Sequence, residues 1–478
     1  MLDLEFIERY IEDRKEFFIE LASRVWEFAE LPYEEVKSAN LLIEVLRREG
    51  FEIQEGLAAI PTSFKASFGS SSPVFGFLGE YDALDTLSQE AAVAERKPFE
   101  ESAPGHGCGH NLLGVGSLAA ALACKEYLLA NNLDGTVIYF GCPAEEGAGS
   151  KQFMARAGVF DGVDFVYTWH PATKNEVQSN RSLAIMGANF TFRGISSHAG
   201  GSPWLGRSAL DAAELMSVGC NYLREHMYDQ ERIHYAYANA GGVAPNVVQD
   251  YVQVKYEVRS PKVKDMKKLF QRVVKVAQGA ALMTETRVDY EITMAFSDYR
   301  TNSKLAPIAD QALKDVGPPK WDEEDYLFAR EILNSYNEET LEGIKNTIIQ
   351  TYGIGRLEEK LERPLDDVVH PYDGRNVSYA GGSTDVGDVS YCVPTLNFHI
   401  ACQCIGNVGH TWQTTAQSNS SIGYKGMLTA AKAMALAAIR TAKRPDVIEE
   451  AKEEVVVQNG GKYECPLPDY VKPPIGKY

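Results

Sequence analysis

Positive charge is in short supply in this sequence. Its 478 residues hold 47 Lys and Arg against 66 Asp and Glu, a net charge of -19. A nucleic-acid surface needs a basic footprint and a polybasic membrane contact needs clustered cations, so neither is expected. Cysteine is sparse too. Eight in this length cannot build a disulfide scaffold, which leaves buried, reactive or metal-bound thiols. No apolar run approaches the roughly 18 uncharged residues of a bilayer span. The start, MLDLEFIERYIEDRKEFF, carries a charge every few residues and lacks the apolar stretch of a secretory signal. The expectation is a cytoplasmic chain. Internal repeats and low-complexity tracts are also missing. What is present is an ordinary globular composition, 45% hydrophobic, long enough for two or three domains at roughly 150 residues each.

Periodicity orders the chain. Leu4, Ile7, Ile11, Phe18, Leu21, Val25 and Phe28 predict an amphipathic helix over 4–30, and a second helix over 36–49 ends at Gly50. Three short apolar runs follow: Val74–Leu78, Thr136–Cys142 and Phe165–Trp169. Each leads into polar residues, Gly79-Glu80-Tyr81-Asp82, Pro143-Ala144-Glu145-Glu146 and His170-Pro171. A small-residue helix at about 112–130 lies between the first two. Alternation of such runs with helices predicts an α/β fold with a parallel sheet, whose sites gather at the carboxyl ends of strands.

Beyond residue 187 the pattern changes to strand 188–192, helix 207–227, strand 252–258, helix 263–283 and strand 287–292. No chemically capable residues cluster at these strand ends. Residues 187–297 are therefore expected to be an inserted α+β domain, leaving 1–186 and 298–478 as one discontinuous domain. One face of the sheet in 187–297 should be covered by two helices, with the other face or an edge open for association. Charged residues 317–370 predict helices at 321–335 and 338–350. Residues 377–400 become strand-like around Thr395–Ile400, a helix at 422–441 stops before Pro445, and the tail 446–478 ends in Pro-rich extended chain.

The chemistry concentrates in a few places. Gly105-His106-Gly107-Cys108-Gly109-His110-Asn111 sets a thiol and an imidazole two residues apart in a glycine-rich turn that permits close approach. Adjacent carboxylates repel, so Glu145-Glu146 needs a cation nearby or a raised pKa. One can bind metal while the other takes a proton from water. His170 ends an apolar run, and His410 sits in Gly409-His410-Thr411-Trp412. His399, with Cys402 and Cys404, competes with His410 but alternates into a strand. Cys108, His110, Glu146, His170 and His410 exceed the needs of one tetrahedral ion and suit two ions about 3.5–4 Å apart. The thiolate favours zinc; the mixed donors also suit manganese, cobalt or nickel.

With these residues in place, the chain resembles the aminoacylase and carboxypeptidase G superfamily of dinuclear metallo-amidohydrolases. The shared stretches are GEYDAL (79–84), GHGCGHNLLG (105–114), CPAEEG (142–147), TWHP (168–171), SPWLGRSALDA (202–212), APNVVQ (244–249), ALMTET (281–286), STDVGDVS (383–390) and GHTWQ (409–413). The resemblance implies a mixed, largely parallel central sheet flanked by helices, zinc-exopeptidase-like, with 187–297 as a lid and dimerisation domain. It implies two divalent ions held by Cys108, His110, Glu146, His170 and His410, with Cys108 bridging, and Glu145 as general base. His198 would reach the partner subunit's site and steady the oxyanion. Asn246 and Arg259 would serve the substrate carboxylate or oxyanion. On the residues alone, His198, Asn246 and Arg259 read equally as turn and strand-end polar groups.

The implied substrate is an N-acyl or N-aroyl amino acid, p-aminobenzoyl-glutamate first and other N-acyl amino acids or dipeptides second. The implied partner is a second copy or a homologous subunit, and a non-catalytic partner-subunit role is the alternative from another class. Two departures bear on substrate choice within the superfamily. Asn111 stands where relatives on N-acyl amino acids have Asp, and Thr384-Asp385-Val386 stands where they have Glu-Asp-Phe.

Overall fold

The computed structural model describes residues 3–374 and 382–476. Residues 377–381 of the strand-like stretch, and 477–478 of the tail, lie outside the described residues. The strands are β1 (Glu52–Glu55), β2 (Phe64–Phe68), β3 (Val74–Gly79), β4 (Thr136–Gly141), β5 (Phe165–Ala172), β6 (Asn175–Val177), β7 (Ala184–Arg193), β8 (Arg232–Asn239), β9 (Tyr251–Ser260), β10 (Arg287–Phe296), β11 (Val369–His370) and β12 (Thr395–Ala401).

The larger sheet runs β1-β2-β4-β3-β5-β12-β6-β11. Its centre, β4-β3-β5-β12, is parallel, as is β6-β11, whereas β1-β2, β2-β4 and β12-β6 are antiparallel. The three apolar runs of the sequence are thus neighbouring parallel strands, and their carboxyl ends meet at one end of the sheet. Helices cover both faces. Helices His110–Asn131 and Ser421–Ala442 bury their alanines, leucines and methionines on one face with helices Asp3–Asp13 and Lys15–Phe28 outside them. On the other face, Met154 and Ala155 of helix Lys151–Arg156 and Val386 and Val389 of helix Val386–Ser390 pack on Leu78, Ile138, Phe140 and Val166.

Helix His110–Asn131 is apolar enough by length and composition to cross a bilayer, but 89% of that window is buried inside the fold. Two of its glycines set the site. A Cβ on Gly114 would stand 2.6 Å from the Glu80 carbonyl oxygen, and one on Gly116 would stand 2.8 Å from the Trp169 ring. Without them the helix start could not come up against the ends of β3 and β5.

The smaller sheet is antiparallel, in the order β10-β7-β9-β8. Alternate residues of β9, Val252, Val254, Tyr256 and Val258, are buried under helices Ala209–Leu223 and Val263–Met283. Edge strand β8 is exposed at every residue but Ile233.

Several expectations change. The helix expected over 4–30 is two helices, because Arg14 leaves helical geometry at φ -114° and turns its guanidinium to Glu49. Strand β8 has no counterpart among the expected strands. The tail after Pro445 does not begin as extended chain, though beyond residue 461 it has no helix or strand among the described residues. Pro445 opens a further helix, Pro445–Asn459, at whose first position its missing N–H costs nothing. The helices expected at 321–335 and 338–350 are present as Glu323–Asn334 and Glu338–Tyr352, a third, Leu357–Glu362, follows them, and the three pack on Cys404, Ile405, Ala416 and Ile422.

Candidate metal centre

Cys108 lies in the loop before helix His110–Asn131, so the carboxyl ends of β3, β4 and β5 face it. Two groups of donor atoms share its sulfur, Cys108–His110–His170 and Cys108–Glu146–His410, each with all atoms within 4.8 Å of one another. A third group, Glu80–His110–Glu145, adjoins them. The five expected ligand residues and Glu145 are therefore brought together. His399 is not among them. It stays on β12, with Nδ1 3.6 Å from Glu176, and Cys402 and Cys404 are buried in the core.

The imidazoles are aimed. His110 Nδ1 lies 2.8 Å from Asp82 Oδ1, and His170 Nδ1–H donates to the Pro171 carbonyl at 2.7 Å. Both rings therefore turn Nε2 toward the centre, the arrangement by which outer partners fix a metal-binding tautomer. Burial, then the charge of His110, lowers His170 to about 4, which keeps it a neutral ligand at ordinary pH. His106 of the same motif turns away and bonds the Val25 carbonyl.

The carboxylate pair sits in the loop after β4, and its backbone is held from both sides. Ala144 takes a left-handed φ of 60°, and its N–H donates to Glu35 Oε1 at 2.7 Å. The Glu146 N–H donates to Asp82 Oδ2 at 2.8 Å. The two glutamates differ sharply. Burial raises Glu146, but contact with His410 and the charge of His110 outweigh it and hold the carboxyl at about 2. Glu145 is pushed well above the usual carboxylate range by burial and by Glu80, Glu146 and Asp385. One is an acceptor at any ordinary pH; the other calls for a cation or a proton.

The donor set fits divalent cations. His110 Nε2 and Glu146 Oε1 are buried and make no well-formed hydrogen bond, meeting only the ionic contacts of Glu80 Oε2 at 3.3 Å and His410 Nε2 at 3.4 Å. Buried polar atoms so poorly satisfied are open to a cation, and both belong to groups that share a thiol. Soft sulfur, imidazole and carboxylate together suit a first-row divalent ion.

The model of peptidase family M20/M25/M40 matches residues 76–350. The chain belongs to that family. Over 473 residues, 98% of each chain, it is 41% identical to one of the subunits of p-aminobenzoyl-glutamate hydrolase from Escherichia coli (strain K12). It is 28% identical over 471 residues, 95% of this chain and 93% of the relative, to Xaa-Arg dipeptidase of Mus musculus. Its fold matches that of a Bacillus subtilis dinuclear metal binding peptidase of the M20 family, with a TM-score of 0.59 at 15% identity, covering 90% of this chain and 99% of that one. The resemblance drawn from the motifs stands, and the chain is an amidohydrolase acting on a linear amide or peptide bond.

This M20 chain places beside the centre buried charged residues that the motifs did not single out. Glu35 is fully buried and also accepts from the Tyr33 N–H and the Thr62 hydroxyl; burial and the charge of Asp82 push it up to about 8. Lys151 is fully buried with Nζ 2.7 Å from Glu80 and 2.6 Å from Asp385. Charged residues are seldom so enclosed. Glu80 and Asp82 lie within the GEYDAL stretch, and a polar pair at a strand end was the available signal. Glu35 and Lys151 gave none, since their partners are remote in sequence. Asn111 bonds the carbonyls of Ala22 and Ser418, tying the start of its helix to two others.

The remaining expected residues lie on the smaller sheet or in the loops beside it. His198 is exposed, and the N–H groups of Gly200 and Gly201 donate to its Nδ1 at 3.1 and 3.0 Å. That leaves the ring proton of the neutral form on Nε2, which is then a donor. The Asn246 carbonyl accepts from the Ala199 N–H, so Asn246 and His198 share one loop pair. Arg259 on β9 donates to Ser383 Oγ at 3.1 Å and keeps a buried Nε with no partner. Among the described residues, His198 is not part of the donor groups around Cys108.

Proposed function

We propose that this chain hydrolyses the amide of an N-acyl or N-aroyl amino acid, p-aminobenzoyl-glutamate first, with two divalent cations that Cys108, His110, Glu146, His170 and His410 would hold. The observation that carries the reading is the single sulfur shared by Cys108–His110–His170 and Cys108–Glu146–His410. The cations would polarise the amide carbonyl and acidify water. Zinc or manganese suits the donors best, and cobalt or nickel also fits. Glu145 accepts the proton of the attacking water and returns it to the leaving nitrogen. His198 Nε2–H donates to the oxyanion. Asn246 and Arg259 hold the free carboxylate, supplying local positive character in an acidic protein.

The substrate follows from the 41% identical relative, which is named for that hydrolysis. The dipeptidase relative makes dipeptides the second choice. A panel of N-aroyl-glutamates, other N-acyl amino acids and dipeptides, assayed with Zn²⁺, Mn²⁺ and Co²⁺, is expected to rank p-aminobenzoyl-glutamate first. Preference for a leaving group other than glutamate would reject it in favour of the second. Metal content measured on the same sample separates an enzyme with two ions from a non-catalytic subunit with none.

In this reading, 1–186 and 298–478 form the catalytic domain and 187–297 the lid, which pairs with a second copy or a homologous subunit. Support comes from His198. It lies outside the groups around Cys108, on a loop whose neighbours Ile195, Trp204, Leu205 and Val243 are exposed and apolar, an arrangement suited to association. If His198 serves the partner's site, inactive His198→Ala and inactive Glu145→Gln chains should regain activity when mixed, because one hybrid site is intact. No recovery after demonstrated subunit exchange would place His198 in its own chain's site or outside catalysis.

A further inference from the structure

Helices Glu323–Asn334 and Glu338–Tyr352 meet at Ser335, Tyr336 and Asn337, and this joint rests on the loop that carries His410. Tyr336 Oη donates to Asn407 Oδ1 at 2.9 Å and accepts from the Val408 N–H at 3.0 Å. Asn407 is in turn saturated. Its Nδ2 donates to Gln403 Oε1 and Thr414 Oγ1, both at 2.8 Å, and its Oδ1 also accepts from Gln417 Nε2 at 2.8 Å. Gln413 Nε2 donates to Ser335 Oγ at 3.1 Å. The loop is pressed close to the second helix, since a Cβ on Gly406 would come 2.5 Å from Ile344.

His410 needs this support. Its backbone is left-handed, φ 58°, which a non-glycine residue holds only when its surroundings impose it. Its side chain is 57% exposed and touches the centre through Glu146 at 3.4 Å, and its N–H donates to the Gly107 carbonyl. The side chain itself therefore contributes little to holding the loop.

We propose that Tyr336 is a positioning residue for His410: the hydroxyl that joins Asn407 to the Val408 backbone fixes the left-handed turn and so presets the cation site made by Cys108, Glu146 and His410. This gives helices 323–352 a function, to buttress one of the two cation sites from outside, and it rests on the reading of His410 as a ligand. Loss of an outer partner bonded directly to a ligand commonly weakens metal binding by about 10–100-fold, and Tyr336 acts one step further out, so the low end of that range is expected.

The test uses the full-length protein and Mn²⁺ or Zn²⁺ titration by calorimetry, with bound metal counted after desalting. Tyr336→Phe is expected to weaken one of the two ions about tenfold and leave the other unchanged. Its kcat should fall at low metal with KM unchanged, and recover as free metal is raised. Tyr352→Phe is the control. It removes a hydroxyl from the same helix pair, one that donates to Asp366 Oδ1 at 2.8 Å and not to the His410 loop. It should bind both ions as the parent does. Asn407→Ala, which removes this link together with the bonds to Gln403, Thr414 and Gln417, should weaken the same ion at least as much as Tyr336→Phe. Unchanged binding in Tyr336→Phe, or equal loss in Tyr352→Phe, overturns the proposal. His410→Ala distinguishes the underlying reading: if that variant also keeps both ions, His410 is no ligand and both ideas fail together.

Discussion

Glu145→Gln is expected to cut kcat by about 10²–10⁴-fold, the contribution of a well-placed proton acceptor, with both cations still bound. Glutamine keeps the size and hydrogen-bonding shape of the side chain and removes only its basicity. The neighbourhood explains why this residue, and not Glu146, should carry the proton. Glu146 is held at about 2 by His410 and His110, too weak a base to take a proton from water. Glu145 groups with Glu80 and His110 and belongs to neither of the two groups that share Cys108, and burial with its neighbouring carboxylates raises its affinity for a proton. Because Glu145 is absent from those two groups, bound metal per chain should equal the parent's. A variant that turns over at the parental rate would remove Glu145 from the chemistry. One that loses metal would make Glu145 a ligand.

Much of this site was legible in sequence because the fold puts neighbouring apolar runs side by side. Val74–Leu78, Thr136–Cys142 and Phe165–Trp169 become adjacent parallel strands, so the residues that follow them have to converge. His410 was separable from His399 for a related reason: a turn can bring its residue over a strand end, whereas His399 is fixed by its register opposite His170 and Glu176. What stayed hidden was support from a distance. Glu35 acts on Ala144 from 109 positions away, and Lys151 pairs with Asp385 from 234 away, and no local pattern announces either. Strand β8 gave no alternating signal because, as an exposed edge, it buries only Ile233. The helix from Pro445 was hidden because proline ends one helix and begins another with equal ease.

The buried lysine carries the largest expected stability effect. Lys151→Met should destabilise the fold by about 3–5 kcal/mol, as breaking a buried ion pair from one side does. Methionine fills similar space, so the loss measures charge more than volume. Lys151 Nζ lies between Glu80 and Asp385 with its side chain fully enclosed. Asp385 keeps the N–H groups of Ser150 and Lys151 at 2.9 Å each, so Glu80 is the more sensitive to the change. In the parent, burial raises Glu80, but the charge of Lys151, followed by that of His110, outweighs it and keeps the carboxyl below its ordinary range. A depressed carboxyl contributes stability above its unfolded pKa and loses it as pH falls. Without the lysine, burial dominates and the carboxyl rises, so the folded variant holds a proton that the unfolded chain releases. That favours the variant at low pH. The parent's loss falls below the carboxyl's ordinary value of 4.5, so between pH 5 and pH 8 the variant's raised carboxyl decides the sign, and the deficit should be smaller at pH 5 than at pH 8 in urea unfolding of parent and variant. A deficit that does not change with pH would mean the lysine acts through packing alone. Charge coupling would tie the stability of this domain to the same Glu80 that adjoins His110 and Glu145, so the ion triad would set the electrostatics of the centre as well as the fold around it.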